Sequence, residues 1–173
     1  MNPRDGVLLS QFLFLLFLGS TLSAPKEVRL GGLFPLFRIN GEVIANGQQR
    51  MAGFLLAVKE INDANVLLPN IPIKVVVKDT KLNVGETFFS TLDMVTKSFK
   101  KRGIDACIGA QSSVESDAAA TVLSQFSKTQ VSYSSTSALL STKLNSPYFA
   151  RTCPSDIFQG AAMAALVAKN YGW

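Results

Sequence analysis

The 173-residue sequence predicts a doubly wound α/β fold on a five-stranded parallel sheet. Three observations carry that expectation. Strand-like apolar runs alternate five times with segments of helical periodicity, the pattern of successive βα units joined by right-handed crossovers. The run Ile73-Lys-Val-Val-Val-Lys-Asp79 is β-branched and nearly continuous, as in strands that a parallel sheet buries on both faces. Ser, Thr and Asp clusters follow several strand-like runs, at the carboxyl strand ends where an open α/β sheet collects its ligands.

Taken in order, Val28–Phe34 reads as the first strand, ended by Pro35. After a loop bearing Gly and Asn, Met51, Leu55, Val58 and Ile61 recur at helical spacing, giving an amphipathic helix over 48–62. Leu67-Leu-Pro-Asn70 is a turn, and Ile73–Asp79 the second strand. The next helix is expected over 85–101, with Phe88, Leu92, Val95 and Phe99 on one face. Strand three covers 106–110, followed by a helix carrying Val114, Ala118, Val122 and Phe126. Strand four covers 130–133. A short helical turn then leads to strand five at 148–152, and a last helix starts near Ser155. The sequence ends at Tyr171-Gly-Trp173, where a sixth strand is due, so a fragment of a longer chain is expected.

Residues 1–23 have a different logic. Arg4, the apolar run Val7 to Leu18 and the small-residue exit Gly19-Ser-Thr-Leu-Ser-Ala24 describe a secretory signal peptide. The run is shorter than the roughly 20 residues of a spanning helix. Cleavage after Ser23 leaves residues 24–173 as one domain, and an uncleaved signal anchor is the other reading. Secretion places the chain in an oxidising compartment. Cys107 and Cys153 both lie in apolar strand patterns and read as buried thiols, with their pairing left open. Two separated thiols and no histidine do not make a metal site, and no cofactor is expected.

Nearly half of the residues are apolar and 17% are charged, as in a folded globular domain. The net charge of +5 is scattered except at Lys97 with Lys100-Lys101-Arg102. That cluster closes a predicted helix and complements the negative end of its dipole; a polyanion site is the second reading. No aromatic-interleaved basic stripe points to nucleic acid.

Gly109-Ala-Gln-Ser-Ser113 opens a helix, and Ser112 with Glu115 fits a capping box. A helix N-terminus also suits a carboxylate, to which Ser113 adds a hydroxyl. Ser134 and Thr136 end strand four, as turn residues or as ligand contacts. Asp156 follows Pro154-Ser155 and serves either a helix start or a ligand cation. A carboxylate cradle beside a lone acid fits a zwitterion. A serine hydrolase needs a base within reach, and there is neither a histidine nor a Gly-x-Ser-x-Gly elbow.

The ordered set Leu30-Gly-Gly-Leu-Phe34, Gln49-Arg50, Glu60-Ile-Asn62, Leu67-Leu-Pro-Asn70, Ser112-Ser113, Gln130-Val-Ser-Tyr-Ser-Ser-Thr-Ser137, Leu140-Ser141 and Phe149-Ala-Arg-Thr with Pro154-Ser-Asp156 resembles the extracellular ligand-binding region of class C G-protein-coupled receptors. Metabotropic glutamate receptors are the most similar group, within a wider set that includes bacterial amino-acid-binding proteins. The resemblance implies lobe 1 of a type I periplasmic-binding-protein-like (Venus flytrap) domain that recognises an α-amino acid. By position in the motifs, Ser113 and Ser134 take the ligand carboxylate, Thr136 and Asp156 the amine, and Arg50 an acidic side chain. It also implies a homodimer through the lobe-1 helices, and membrane attachment and signalling through parts absent from this chain. Four features depart from the pattern: the first loop is short, Asp79-Thr80-Lys81 lacks the expected cysteine, the inter-subunit cysteine loop is absent, and Asn46 stands where an aromatic is expected four residues before Arg50. A natriuretic-peptide-type receptor domain or a transport solute-binding protein is the alternative. A pure dimerisation module is the third class.

Overall fold

The computed structural model describes residues 25–144 and 146–172; the expected signal peptide at 1–23 lies outside them. Strands β1 (Val28–Phe34), β2 (Ile73–Asp79), β3 (Ala106–Ile108), β4 (Thr129–Ser132) and β5 (Phe149–Arg151) form one sheet in the order β2-β1-β3-β4-β5. Every pairing is parallel, from Val28 opposite Ile73 to Ser132 opposite Arg151. Helices α1 (Ala45–Ala64), α2 (Val84–Thr96), α3 (Ser113–Gln125) and α4 (Asp156–Tyr171) follow β1, β2, β3 and β5, and a 3₁₀ turn, Ala138–Ser141, links β4 to β5.

Gly31 and Gly32 place the helices on opposite faces. A Cβ on Gly31 would lie 2.9 Å from the Met94 sulfur of α2, while one on Gly32 would lie 3.2 Å from the Phe54 ring of α1. Adjacent strand residues face opposite ways, so α1 covers one face and α2 the other. The strand order reverses between β2-β1 and β3-β4-β5, which sets a switch point between β1 and β3.

The main core lies on the α2 and α3 face, where Leu33, Met94, Ile104, Cys107, Val122 and Leu123 pack together. Burying such side chains contributes about 1.5–3 kcal/mol each. By contrast α4 has no buried residue, and Ile157, Phe158, Met163 and Leu166 are exposed on it. No helix among the described residues is long and apolar enough to cross a membrane.

Three local expectations change. Helix α1 begins at Ala45, ahead of the expected 48, behind an N-cap Ile44 that offers no side-chain acceptor. Strand β3 stops at Ile108 because Gly109 takes φ 115°, outside the strand region. Helix α2 stops at Thr96 and not at Lys101. The reason is Gly103, which crosses so close to the last turn that a Cβ there would sit 2.2 Å from the Val95 carbonyl oxygen. Lys97 is the C-cap and stays at the negative end of the helix, whereas Lys100, Lys101 and Arg102 lie beyond it, so the dipole reading fails for those three.

Candidate functional site at the carboxyl ends of the strands

Beyond β3 the chain turns into α3, where Ser112 is the N-cap. Its hydroxyl accepts from the Glu115 N–H at 3.4 Å, and the Glu115 carboxylate accepts from the Ser112 N–H at 3.2 Å. Glu115 is buried and also accepts from the Thr87 hydroxyl at 3.3 Å. Ser112 is thus committed to the helix. Ser113 is the first helical residue, and its hydroxyl accepts from the Ser137 N–H at 3.1 Å.

The hydroxyl run after β4 divides into two sets. Ser132 and Ser135 are fully buried. Ser132 donates to the Ala110 carbonyl at 2.9 Å and accepts from the Ser135 N–H at 3.0 Å, and Ser135 meets the Ser116 hydroxyl at 2.7 Å. They bolt the loop to the sheet. Ser134 is half-buried and donates to the Gln111 carbonyl at 2.6 Å. The Thr136 carbonyl accepts from the Asp156 N–H at 2.9 Å. Among the described residues, neither the Thr136 hydroxyl nor the Asp156 carboxylate is bonded to another side chain or to the backbone. Asp156 opens α4 without capping it, because the N-cap is Ser155.

On the α1 side, Arg50 donates to the Gln111 side-chain carbonyl. Its guanidinium carbon lies 5.3 Å from the centre of the Tyr133 ring, which stacks on Phe34 at 5.6 Å. Burial pushes the Tyr133 hydroxyl well above the ordinary phenol range, with Arg50 opposing the shift only in part. Tyr133 therefore stays neutral and donates to the Leu33 carbonyl at 3.3 Å. An apolar cavity of about 350 Å³ runs from this pair along α1, lined by Leu30, Phe34, Phe54, Val58 and Ile108.

Hydrogen bonds therefore link the five predicted residues in two groups at one end of the sheet: Ser113, Thr136 and Asp156 around the 136–137 backbone, and Ser134 with Arg50 around Gln111. The N-termini of α3 and α4 both open there, offering free N–H groups and partial positive charge. An anion fits those termini, and a cation fits the exposed Asp156.

Sequence reasoning missed three residues of this frame. Gln111 joins Arg50 to Ser134, and its only signal is its place just after strand three. Tyr133 orients Arg50. Arg151 donates to the Ser135 and Ser137 carbonyls at 3.1 and 2.8 Å and to the Ser141 hydroxyl, so β5 holds the β4 loop in place. Arg151 stands within a quoted motif, but nothing local marks its role.

Residues 49–173 match the family model described as the receptor family ligand binding region. The chain belongs to this family. Relatives include the metabotropic glutamate receptor of Drosophila melanogaster, 31% identical over 88% of this chain and 18% of that protein. The probable metabotropic glutamate receptor mgl-1 of Caenorhabditis elegans is 29% identical over 84% of this chain and 18% of its own length. The human extracellular calcium-sensing receptor is 30% identical over 85% of this chain and 16% of its own. The chain thus spans less than a fifth of the length of these relatives. Its receptor ligand-binding region is homologous to those of class C receptors, and these relatives are receptors, not enzymes. The five-stranded parallel sheet with flanking helices is the expected periplasmic-binding-protein-like lobe.

Proposed function

We propose that this receptor-family lobe recognises the α-amino-acid group of a small ligand on the extracellular side of a membrane. Ser113 and the α3 N-terminus receive the carboxylate, with Ser134 beside them. Thr136 and Asp156 receive the ammonium, and Arg50 faces an acidic side chain. One observation carries the reading: three strand ends are tied to one another through Ser113, Gln111, Thr136 and Asp156, while the Thr136 hydroxyl and the Asp156 carboxylate are left without protein partners among the described residues. Preorganised donors and acceptors of this kind lose little freedom on binding.

Two of the relatives are named for glutamate and one for calcium, and among the five candidate residues Arg50 is the cation that would select an acidic side chain. Closure of a second lobe over the ligand supplies the switch, because the ligand then has differential affinity for the closed state. Pairing with a second copy would use the lobe helices, where Leu55 and Leu56 of α1 are exposed.

The decisive experiment replaces Asp156 by Asn in a protein carrying both lobes. At this first helical position Asn gives up only the attraction of a carboxylate to the helix dipole, about 0.3–1 kcal/mol, so the melting temperature without ligand should move little. Loss of a charge-assisted hydrogen bond to an ammonium, worth about 1.5–3 kcal/mol, should weaken amino-acid binding roughly ten- to a hundredfold by calorimetry. Unchanged affinity with a clearly lower melting temperature would assign Asp156 to the fold.

A further inference from the structure

The turn between α2 and β3 is built to display cations. Lys97, Lys100, Lys101 and Arg102 are all exposed in it. Phe99, Lys100 and Lys101 run consecutively at φ 50°, 58° and 66°, a left-handed path that L residues keep only when their surroundings impose it. Three contacts impose it here. The Phe99 side chain packs against the core cluster, the Gly103 N–H donates to the Ser98 carbonyl at 3.0 Å, and the Arg102 N–H donates to the Phe99 carbonyl at 3.3 Å.

Nearby carboxylates do not neutralise this turn. Glu27 is shared between Lys74 at 3.0 Å and Arg102 at 3.3 Å, and Asp93 between Lys78 and Lys97. Among the described residues Lys100 and Lys101 have no carboxylate partner. The group lies at the amino ends of the strands, since Glu27 precedes β1, Lys74 stands at the start of β2 and Arg102 precedes β3. It therefore occupies the pole opposite the amino-acid crevice and leaves that crevice clear.

We propose that this pole is a docking surface for a sulfated polysaccharide. Dense sulfates on an extended chain match a row of exposed cations in which Lys100 and Lys101 have no carboxylate partner and Lys97 and Arg102 only shared ones, and association is driven by release of counterions. The only aromatic residue of the turn, Phe99, packs inward. Within the turn no ring is exposed for stacking on bases, which disfavours nucleic acid; Phe89 of α2 is exposed and lines a pocket with Lys97, so the vesicle arm of the test decides against a membrane. The surface is independent of the amino-acid site.

The test titrates the secreted chain with heparin, with desulfated heparin and with phosphatidylserine vesicles at several salt concentrations. Lys100→Gln with Lys101→Gln is compared with Arg38→Gln with Lys81→Gln, which removes equal charge beyond the carboxyl ends of β1 and β2, and circular dichroism checks the fold of each. Heparin should bind the wild-type chain at low salt. Its dissociation constant should rise at least about tenfold in the turn variant and less than about twofold in the control, with a shallower salt dependence in the turn variant. The idea is overturned if both variants lose affinity equally, if desulfated heparin binds as well, if vesicles bind in heparin's place, or if the wild-type chain does not bind heparin.

Discussion

Cys107 and Cys153 show how far a single residue's chemistry follows from its surroundings. Both thiols are free, but Cys107 is buried in the α2 and α3 core, and burial pushes its pKa up to about 12. It is neutral and shielded at neutral pH. Cys153 is only half-buried, its sulfur 3.5 Å from the Ser135 carbonyl. The expectation of two buried thiols therefore holds for Cys107 and is weakened for Cys153, because the chain leaves β5 at Arg151 before reaching it. Brief iodoacetamide treatment of the native chain should label Cys153 alone, and denaturant should expose both, as read by peptide mass spectrometry. At this scale the sequence was legible where the partner is local. The Ser112–Glu115 capping box follows from three-residue spacing. Gln111, Tyr133 and Arg151 act on groups brought near by the sheet, and no periodicity announces such contacts.

Among the elements, the βα alternation was legible because each strand and helix repeats its own period. The end of α2 was not, since it depends on where the chain must cross to enter β3. Gly103→Ala tests that account directly. With φ at 67° and a Cβ 2.2 Å from the Val95 oxygen, the variant should lose about 1–3 kcal/mol or more in urea unfolding. The entry to β3 is also pinned by Arg29, whose guanidinium and backbone N–H both bond the Asp105 carboxylate. Burial alone would raise the Asp105 pKa, but the bonds from Arg29 outweigh it and hold the carboxyl below its usual value. A carboxyl that titrates lower when folded contributes stability above the ordinary carboxylate range and loses it as pH falls. The midpoint of urea unfolding should therefore drop between about pH 5 and about pH 3. Asp105→Asn should flatten that drop, at the cost of a lower midpoint near neutrality.

Across the whole molecule, packing is uneven. One face of the sheet carries a closed core under α2 and α3, whereas α1 stands beside an open apolar cavity and α4 buries none of its residues. The sequence pattern of α4 is as helical as that of α3, so hydropathy alone could not tell the covered helix from the bare one. The difference should be visible in time. Backbone amides exchange with solvent through local openings whose free energy tracks the burial around them. In deuterated buffer the amides of β1, β3 and α3 should remain protected long after those of α4 have exchanged, as followed by mass spectrometry of peptides. Slow exchange throughout α4 in the isolated chain would contradict this ordering. A bare helix is also a reporter: whatever comes to lie on α4 will slow exchange across one contiguous 16-residue block, which makes its cover detectable before it is identified.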